Sequence, residues 1–152
     1  MVALSSSFKP SQIIVHHSDS ADTGNVSWLQ IKKWHTTPPP NGNGWSDIGY
    51  HAGVELVESS GLSSYEILYG RPWYKQGAHC LGQNDKSLGI CFVGDFDIAP
   101  PPEAQLICGA ELIKLWMMMF EIDKSKIFPH KFFNATNCPG KYFSMDKLLL
   151  YL

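Results

Sequence analysis

At 152 residues the chain is sized for one domain, which leaves little room for a catalytic unit joined to a separate binding module. Twelve Lys and Arg against fourteen Asp and Glu give a formal charge of -2, without the basic excess that grips a phosphate backbone, so nucleic acid is not an expected partner. No apolar run approaches the ~18 residues of a membrane span, and Met1 to Pro10 lacks the basic start and apolar stretch of a secretory signal; synthesis in the cytoplasm without a signal peptide is expected.

Gln12-Ile-Ile-Val-His-His17 is a β-branched apolar run after Pro10 and before Ser18-Asp-Ser, which predicts a buried strand with two histidines at its end. Asn25 or Ser27 is placed to cap a helix running to about Thr36, with Trp28, Ile31 and Trp34 or His35 at helical spacing. Pro38-Pro-Pro40 forbids its continuation, and Asn41-Gly-Asn-Gly44 is turn chemistry. A strand is predicted from Ile48 to Val57, with a second over Glu66 to Tyr69 pairing with it as a hairpin. Gly70 to Ser87 is a long polar loop of the kind that carries function, and Leu88 to Val93 is a compact strand.

Pro100-Pro-Pro102 precedes the clearest helix, Glu103 to Ile122. There Leu106, Ala110, Ile113, Met117 and Phe120 form one stripe and Glu111, Lys114 and Glu121 another. Met117-Met-Met119 reads as core filler, because methionine packs irregular gaps. A last strand over Lys126 to Pro129 and a short helix over Met145 to Leu152 complete the chain. Cys80, Cys91, Cys108 and Cys138 form no C-x-x-C pair, so neither a zinc ribbon nor a redox motif is indicated, and Cys80 is not expected to form a disulfide.

The six histidines stand at 16, 17, 35, 51, 79 and 130, and none belongs to a local H-E-x-x-H pair. A catalytic zinc needs three neutral imidazole, thiolate or carboxylate ligands and one open position. His130 and Cys138, eight residues apart across a loop, can fold onto one ion, and the third ligand would come from His16 or His17. Adjacent residues of a strand face opposite sides, so only one of that pair can reach the metal.

Five blocks in order carry a resemblance: Ile14-Val-His-His-Ser18; Trp45-Ser-Asp-Ile-Gly-Tyr-His51; Gly77-Ala-His79 followed by Asn84; Ser87-Leu-Gly-Ile90 with Val93-Gly94; and His130 with Thr136-Asn-Cys-Pro-Gly140. Together they resemble the zinc-dependent N-acetylmuramoyl-L-alanine amidases, the family of phage endolysin amidases and animal peptidoglycan recognition proteins. The resemblance implies a single α/β domain over 1–152, its motif-bearing core at about 12–145, with a central mixed β-sheet flanked by helices and one zinc per chain in a surface groove. It selects His16, with His130 and Cys138, as the metal ligands and turns His17 away. It gives Tyr50 the task of donating to the developing oxyanion, from a strand face shared with Ala52 and Val54, and places Trp34, His35, His79 and Asn84 along the groove.

Thr136 matches a position where part of the family has lysine. Threonine can hold a substrate oxygen or a water but cannot shuttle a proton as lysine does, which leaves that duty to the attacking water or a nearby histidine. The implied reaction is cleavage of the amide between N-acetylmuramic acid and L-alanine of a peptidoglycan stem peptide, by a monomeric endolysin that reaches the wall after release. A peptidoglycan-binding module without catalysis is one alternative. A cytosolic muropeptide-recycling amidase is another, but that branch typically carries aspartate where Cys138 stands.

Overall fold

A computed structural model describes residues 8–22 and 27–152. Strand β1 (Gln12–His17) is followed by helix α1 (Ser27–Thr36), the hairpin β2 (Ala52–Ser59) and β3 (Leu62–Tyr69), then β4 (Ser87–Phe92). The long helix α2 (Glu103–Phe120), the short strand β5 (Ile127–Pro129) and the closing helix α3 (Met145–Leu149) complete the order. The five strands form one mixed sheet in the order β3-β2-β4-β1-β5, in which only the hairpin is antiparallel.

The apolar character of β1 and β4 follows from their place in the middle of the sheet. Both are buried along their whole length, because helices or loops cover both faces. Alternation sorts their side chains: Ile13 and Val15 join Leu88, Ile90 and Phe92 in the larger core under α2, with Leu106, Ala110, Ile113 and Trp116 of that helix. The opposite face, with Cys91, packs against Trp28 and Ile31 of α1. His16 and His17 therefore leave β1 toward different faces.

Several boundaries depart from the sequence reading. The strand expected from Ile48 begins only at Ala52; Ile48 is buried, but residues 48–51 are irregular and bent. Their backbone still bonds across the sheet end, from His51 N to Gly89 O and from Arg71 N to Tyr50 O. β3 starts four residues earlier than Glu66, because strand pairing with β2 continues to Ser59 and Leu62. α2 stops at Phe120, where Glu121 turns left-handed at φ 55 and Ile122 N donates back to Met117 O.

The methionine triplet is not all core. Met117 packs against the core under α2, whereas Met118 and Met119 are 74% and 52% exposed, since successive helical residues point about 100° apart. The expected cap of α1 also changes: Asn25 lies outside the described residues, as does most of the amino terminus judged above for a signal, and Ser27 is the first helical residue. Buried Glu55 of β2 does the capping, its Oε1 accepting from Trp28 N at 3.0 Å. Among the described residues, no helix is long and apolar enough to cross a membrane.

Candidate active site

The end of β1 presents His16, 1% exposed, on the face shared with Cys91, its register partner on β4. On the other side β5 runs parallel with Val15 opposite Pro129, so the next residue, His130, emerges beside His16 with ring centroids 4.5 Å apart. The loop after His130 then folds back. Lys131 N donates to Cys138 O, Cys138 N donates to Thr136 Oγ1, and His17 N donates to Cys138 Sγ at 3.4 Å. One ligand atom each from His16, His130 and Cys138 consequently falls within 4.8 Å of the others.

This donor set fits zinc. His16 Nδ1 lies 3.7 Å from Cys138 Sγ, close to the separation of about 3.5 Å that a tetrahedral zinc imposes on a nitrogen and a sulfur ligand. Burial, with His79 and His130 adding repulsion, pushes the His16 pKa well below its usual value, which keeps the ring neutral with a lone pair to offer. Burial also pushes the Cys138 thiol up to about 12, against the pull of the His17 N–H. Such a thiol becomes a thiolate at neutral pH only if a cation joins the trio.

Beside the trio, with His130 as its shared member, lies an open groove of about 490 Å³ lined by His35, Trp45, Tyr50, His79, Asn84 and His130, among others. Tyr50 sits in the bend before β2 and not on a strand face with Ala52 and Val54; its ring centroid is 5.1 Å from that of His16. Burial, followed by the nearby Cys91 and Cys138, raises the pKa of its phenol well above 10. It is a proton donor at any physiological pH. His35 accepts from Gly49 N through Nδ1 at 3.0 Å, so its neutral ring presents Nε2–H, and its ring stands 4.9 Å from that of Trp45.

The remaining expectations divide. His79 and Asn84 border the groove, but His79 is 8% exposed and bonded to His16 Nε2 at 2.9 Å, while Asn84 Oδ1 accepts from the N–H groups of His79 and Cys80. Trp34 lies elsewhere: it is 45% exposed and lines a separate hollow with Ser20, Ala21 and Gln30. Thr136 is exposed and serves the loop, accepting from Cys138 N at 3.1 Å. His17 stacks on Phe96 across the sheet. Its Nδ1 accepts from Phe96 N, so the neutral ring holds its proton on Nε2 and has no lone pair for a cation beside Asp19 and Asp95, which cluster with it.

Two groove residues escaped the sequence reading as site residues. Trp45 starts the Trp45-Ser-Asp-Ile-Gly-Tyr-His51 motif with no role expected of it, and Asn134 accepts through Oδ1 from His130 Nε2 at 2.9 Å. That bond leaves Nδ1 as the ring atom of His130 able to ligate. Its position four residues after His130, between that histidine and Cys138, was the available signal.

With that geometry in place, the comparisons with known proteins converge. Residues 6–141 match the family described as N-acetylmuramoyl-L-alanine amidase, and the chain belongs to that family. It is 31% identical over 134 residues to Peptidoglycan-recognition protein 2 of Holotrichia diomphalia, covering 84% of this chain and 66% of that protein. Over 94 residues it is 35% identical to the endolysin of Klebsiella phage KP32, covering 62% of this chain and 54% of that one. The solved structure of N-acetylmuramoyl-L-alanine amidase LysC from Clostridium intestinale URNW shares the fold at a TM-score of 0.70 and 24% identity, covering 93% of this chain and 83% of that one. The chain spans about half to two thirds of the length of these two curated relatives.

Proposed function

We propose that the protein hydrolyses the amide between the lactyl group of N-acetylmuramic acid and L-alanine in peptidoglycan, with one zinc held by His16, His130 and Cys138. The observation that carries the reading is the convergence of two neutral imidazoles and a thiol, with the Tyr50 phenol beside His16, next to an open groove that His130 and Tyr50 line. When bound, zinc supplies Lewis acidity, bringing a water's pKa toward about 7 and polarising the scissile carbonyl.

The chain's own residues divide the remaining work. Tyr50 O–H, protonated at any physiological pH and close to His16, donates to the carbonyl oxygen as negative charge develops there. Trp45 offers a flat face to the sugar or lactyl group, and His35 Nε2–H and the Asn84 amide lie within the groove to bind stem-peptide polar groups. Among the described residues, no groove histidine has a lone pair to spare for the proton: Nδ1 of His35 is taken by Gly49, both nitrogens of His79 are engaged, and His130, bonded through Nε2 to Asn134, keeps only the Nδ1 lone pair that would meet the zinc. The proton for the leaving amine therefore comes from the attacking water. Similarity to phage endolysins supports a role in wall lysis after release from the cytoplasm.

The test is incubation with purified peptidoglycan, reading new free amino groups against new reducing sugars. The expected result is amino groups without reducing ends, abolished by a chelator and restored by zinc, with zinc content lost in His16→Ala and Cys138→Ala and kept in His17→Ala. Reducing ends would identify a glycosidase, and activity indifferent to chelation would remove the metal. Similarity to the recognition proteins supports a second reading as a binding module, which sedimentation with peptidoglycan and no released amine would establish.

A further inference from the structure

Every polar group around His79 has a fixed role. Asn84 Oδ1 holds its backbone N–H at 2.8 Å. The ring fits because two glycines flank it: a Cβ on Gly77 or on Gly89 would stand 2.6 Å from ring atoms of His79. His79 Nε2 faces two oxygens of Ser87, the backbone O and the side-chain Oγ, each at 3.4 Å. The Ser87 hydroxyl proton is already given to Gln83 O at 2.7 Å, so both Ser87 oxygens can only accept. Nε2 must then carry the proton of His79, and Nδ1 holds the lone pair.

That lone pair lies 2.9 Å from His16 Nε2, which must be its donor. A neutral His16 protonated on Nε2 has its own lone pair on Nδ1, the atom 3.7 Å from Cys138 Sγ. The tautomer of His16 is therefore set from Ser87, through His79, by two hydrogen bonds in series.

We propose that His79 is a positioning residue that fixes the tautomer and ring orientation of His16, so that the Nδ1 lone pair meets His130 and Cys138 at the cation. The metal half of this role rests on the zinc reading above, and the tautomer half does not. Outer partners of this kind typically change metal affinity 10–100-fold when removed. They act by holding a ligand in place, with no contact to substrate.

The experiment compares His79→Leu with His79→Asn, which share the same branching at Cγ and the same number of side-chain heavy atoms but differ in that Asn Oδ1 can take the place of Nδ1 as acceptor. Zinc affinity is read by chelator competition and site symmetry by the visible spectrum of the cobalt-substituted protein. His79→Leu should bind zinc about 10–100-fold more weakly with an altered cobalt spectrum, and His79→Asn should stay within about threefold of the parent. Long-range proton–nitrogen NMR spectra of the zinc-free parent should show both His16 and His79 protonated on Nε2. Unchanged zinc affinity in His79→Leu, or His16 protonated on Nδ1, overturns the proposal. If His79→Leu fails to fold, the parent spectrum and the Asn variant decide it. A parent that binds no zinc overturns the metal half together with the zinc reading, and the same spectrum then tells whether the tautomer chain stands.

Discussion

Acid should loosen the site end of the sheet through His51. This residue is fully buried just before β2; its Nδ1 accepts from Gly89 N and its Nε2 donates to Lys75 O, each at 2.9 Å, so it joins β4 to the long loop that carries His79. A second proton would have to sit on Nδ1, facing the Gly89 N–H. Burial lowers the imidazole from 6.5 to about 4, with the Lys75 carbonyl resisting and the Arg71 charge assisting. The folded value lies below the unfolded one, so this contribution to stability is fully present above pH 6.5 and is lost as the pH falls through the window from 6.5 to about 4. A gap of about 2.5 at 1.36 kcal/mol each amounts to about 3 kcal/mol at the bottom of that window. Urea unfolding of chelator-treated protein, followed by tryptophan fluorescence at pH 7 and pH 4, measures it free of metal release. His51→Asn keeps an acceptor for Gly89 N and cannot titrate, so the parent should lose about 3 kcal/mol more than the variant over that range. Equal losses in the two proteins would refute the assignment of a neutral, doubly bonded His51.

Tyr50→Phe should keep zinc content and melting temperature while turnover falls about 10²–10³-fold, the effect of removing one oxyanion donor; turnover within threefold of the parent would take Tyr50 out of the reaction. Trp45→Ala should raise the half-saturating concentration of a soluble muramyl peptide about tenfold, or 1.4 kcal/mol, whereas Trp34→Ala, in its separate hollow, should leave it unchanged. Thr136→Val removes the acceptor for Cys138 N and should lower stability by about 1 kcal/mol in chemical unfolding, with Thr136→Ser restoring it; equal stability of all three would show that the bond to Cys138 N contributes nothing.

The parts of the fold legible in the sequence are those where burial and periodicity coincide. β1 and β4 are apolar throughout because they are covered on both faces, and a short β-branched run has few other ways to be satisfied. Residues 48–51 carry the same apolar signal for a different reason. Ile48 is buried in the core under α1 and His51 against the loop, yet their backbone bonds are irregular, and hydrophobicity reports burial without reporting pairing. On α2 the buried arc runs through Leu106, Ala110, Ile113 and also Leu112 and Trp116, so its centre lies one residue round from the predicted stripe and leaves Met118 and Met119 outside. The cap of α1 could not be read locally at all, because it is supplied by Glu55, 27 positions beyond the Trp28 N–H that it accepts.

For the site, the decisive information was alternation at one strand end and a register that no local spacing contains. His16 and His17 are chemically identical, and only the sheet decides between them. One step along β1 exchanges the face with Cys91, His130 and Tyr50 for the face with Phe96, where a backbone N–H occupies the ring nitrogen that a metal would need. His130 meets His16 because β5 pairs in parallel with Val15 opposite Pro129, a contact across more than a hundred residues. α1 illustrates the converse. Trp34 and His35 are both acceptable continuations of the Trp28 and Ile31 stripe, but the stripe is only one turn deep before the proline run ends the helix. The turn that follows brings Trp45 N to His35 O, which seats Trp45 beside His35 in the groove and leaves Trp34 on the outer side of α1. A groove residue supplied by a turn carries no periodicity; what places Trp45 is the backbone bond to a helix end, and that bond exists only once the chain has folded back across α1.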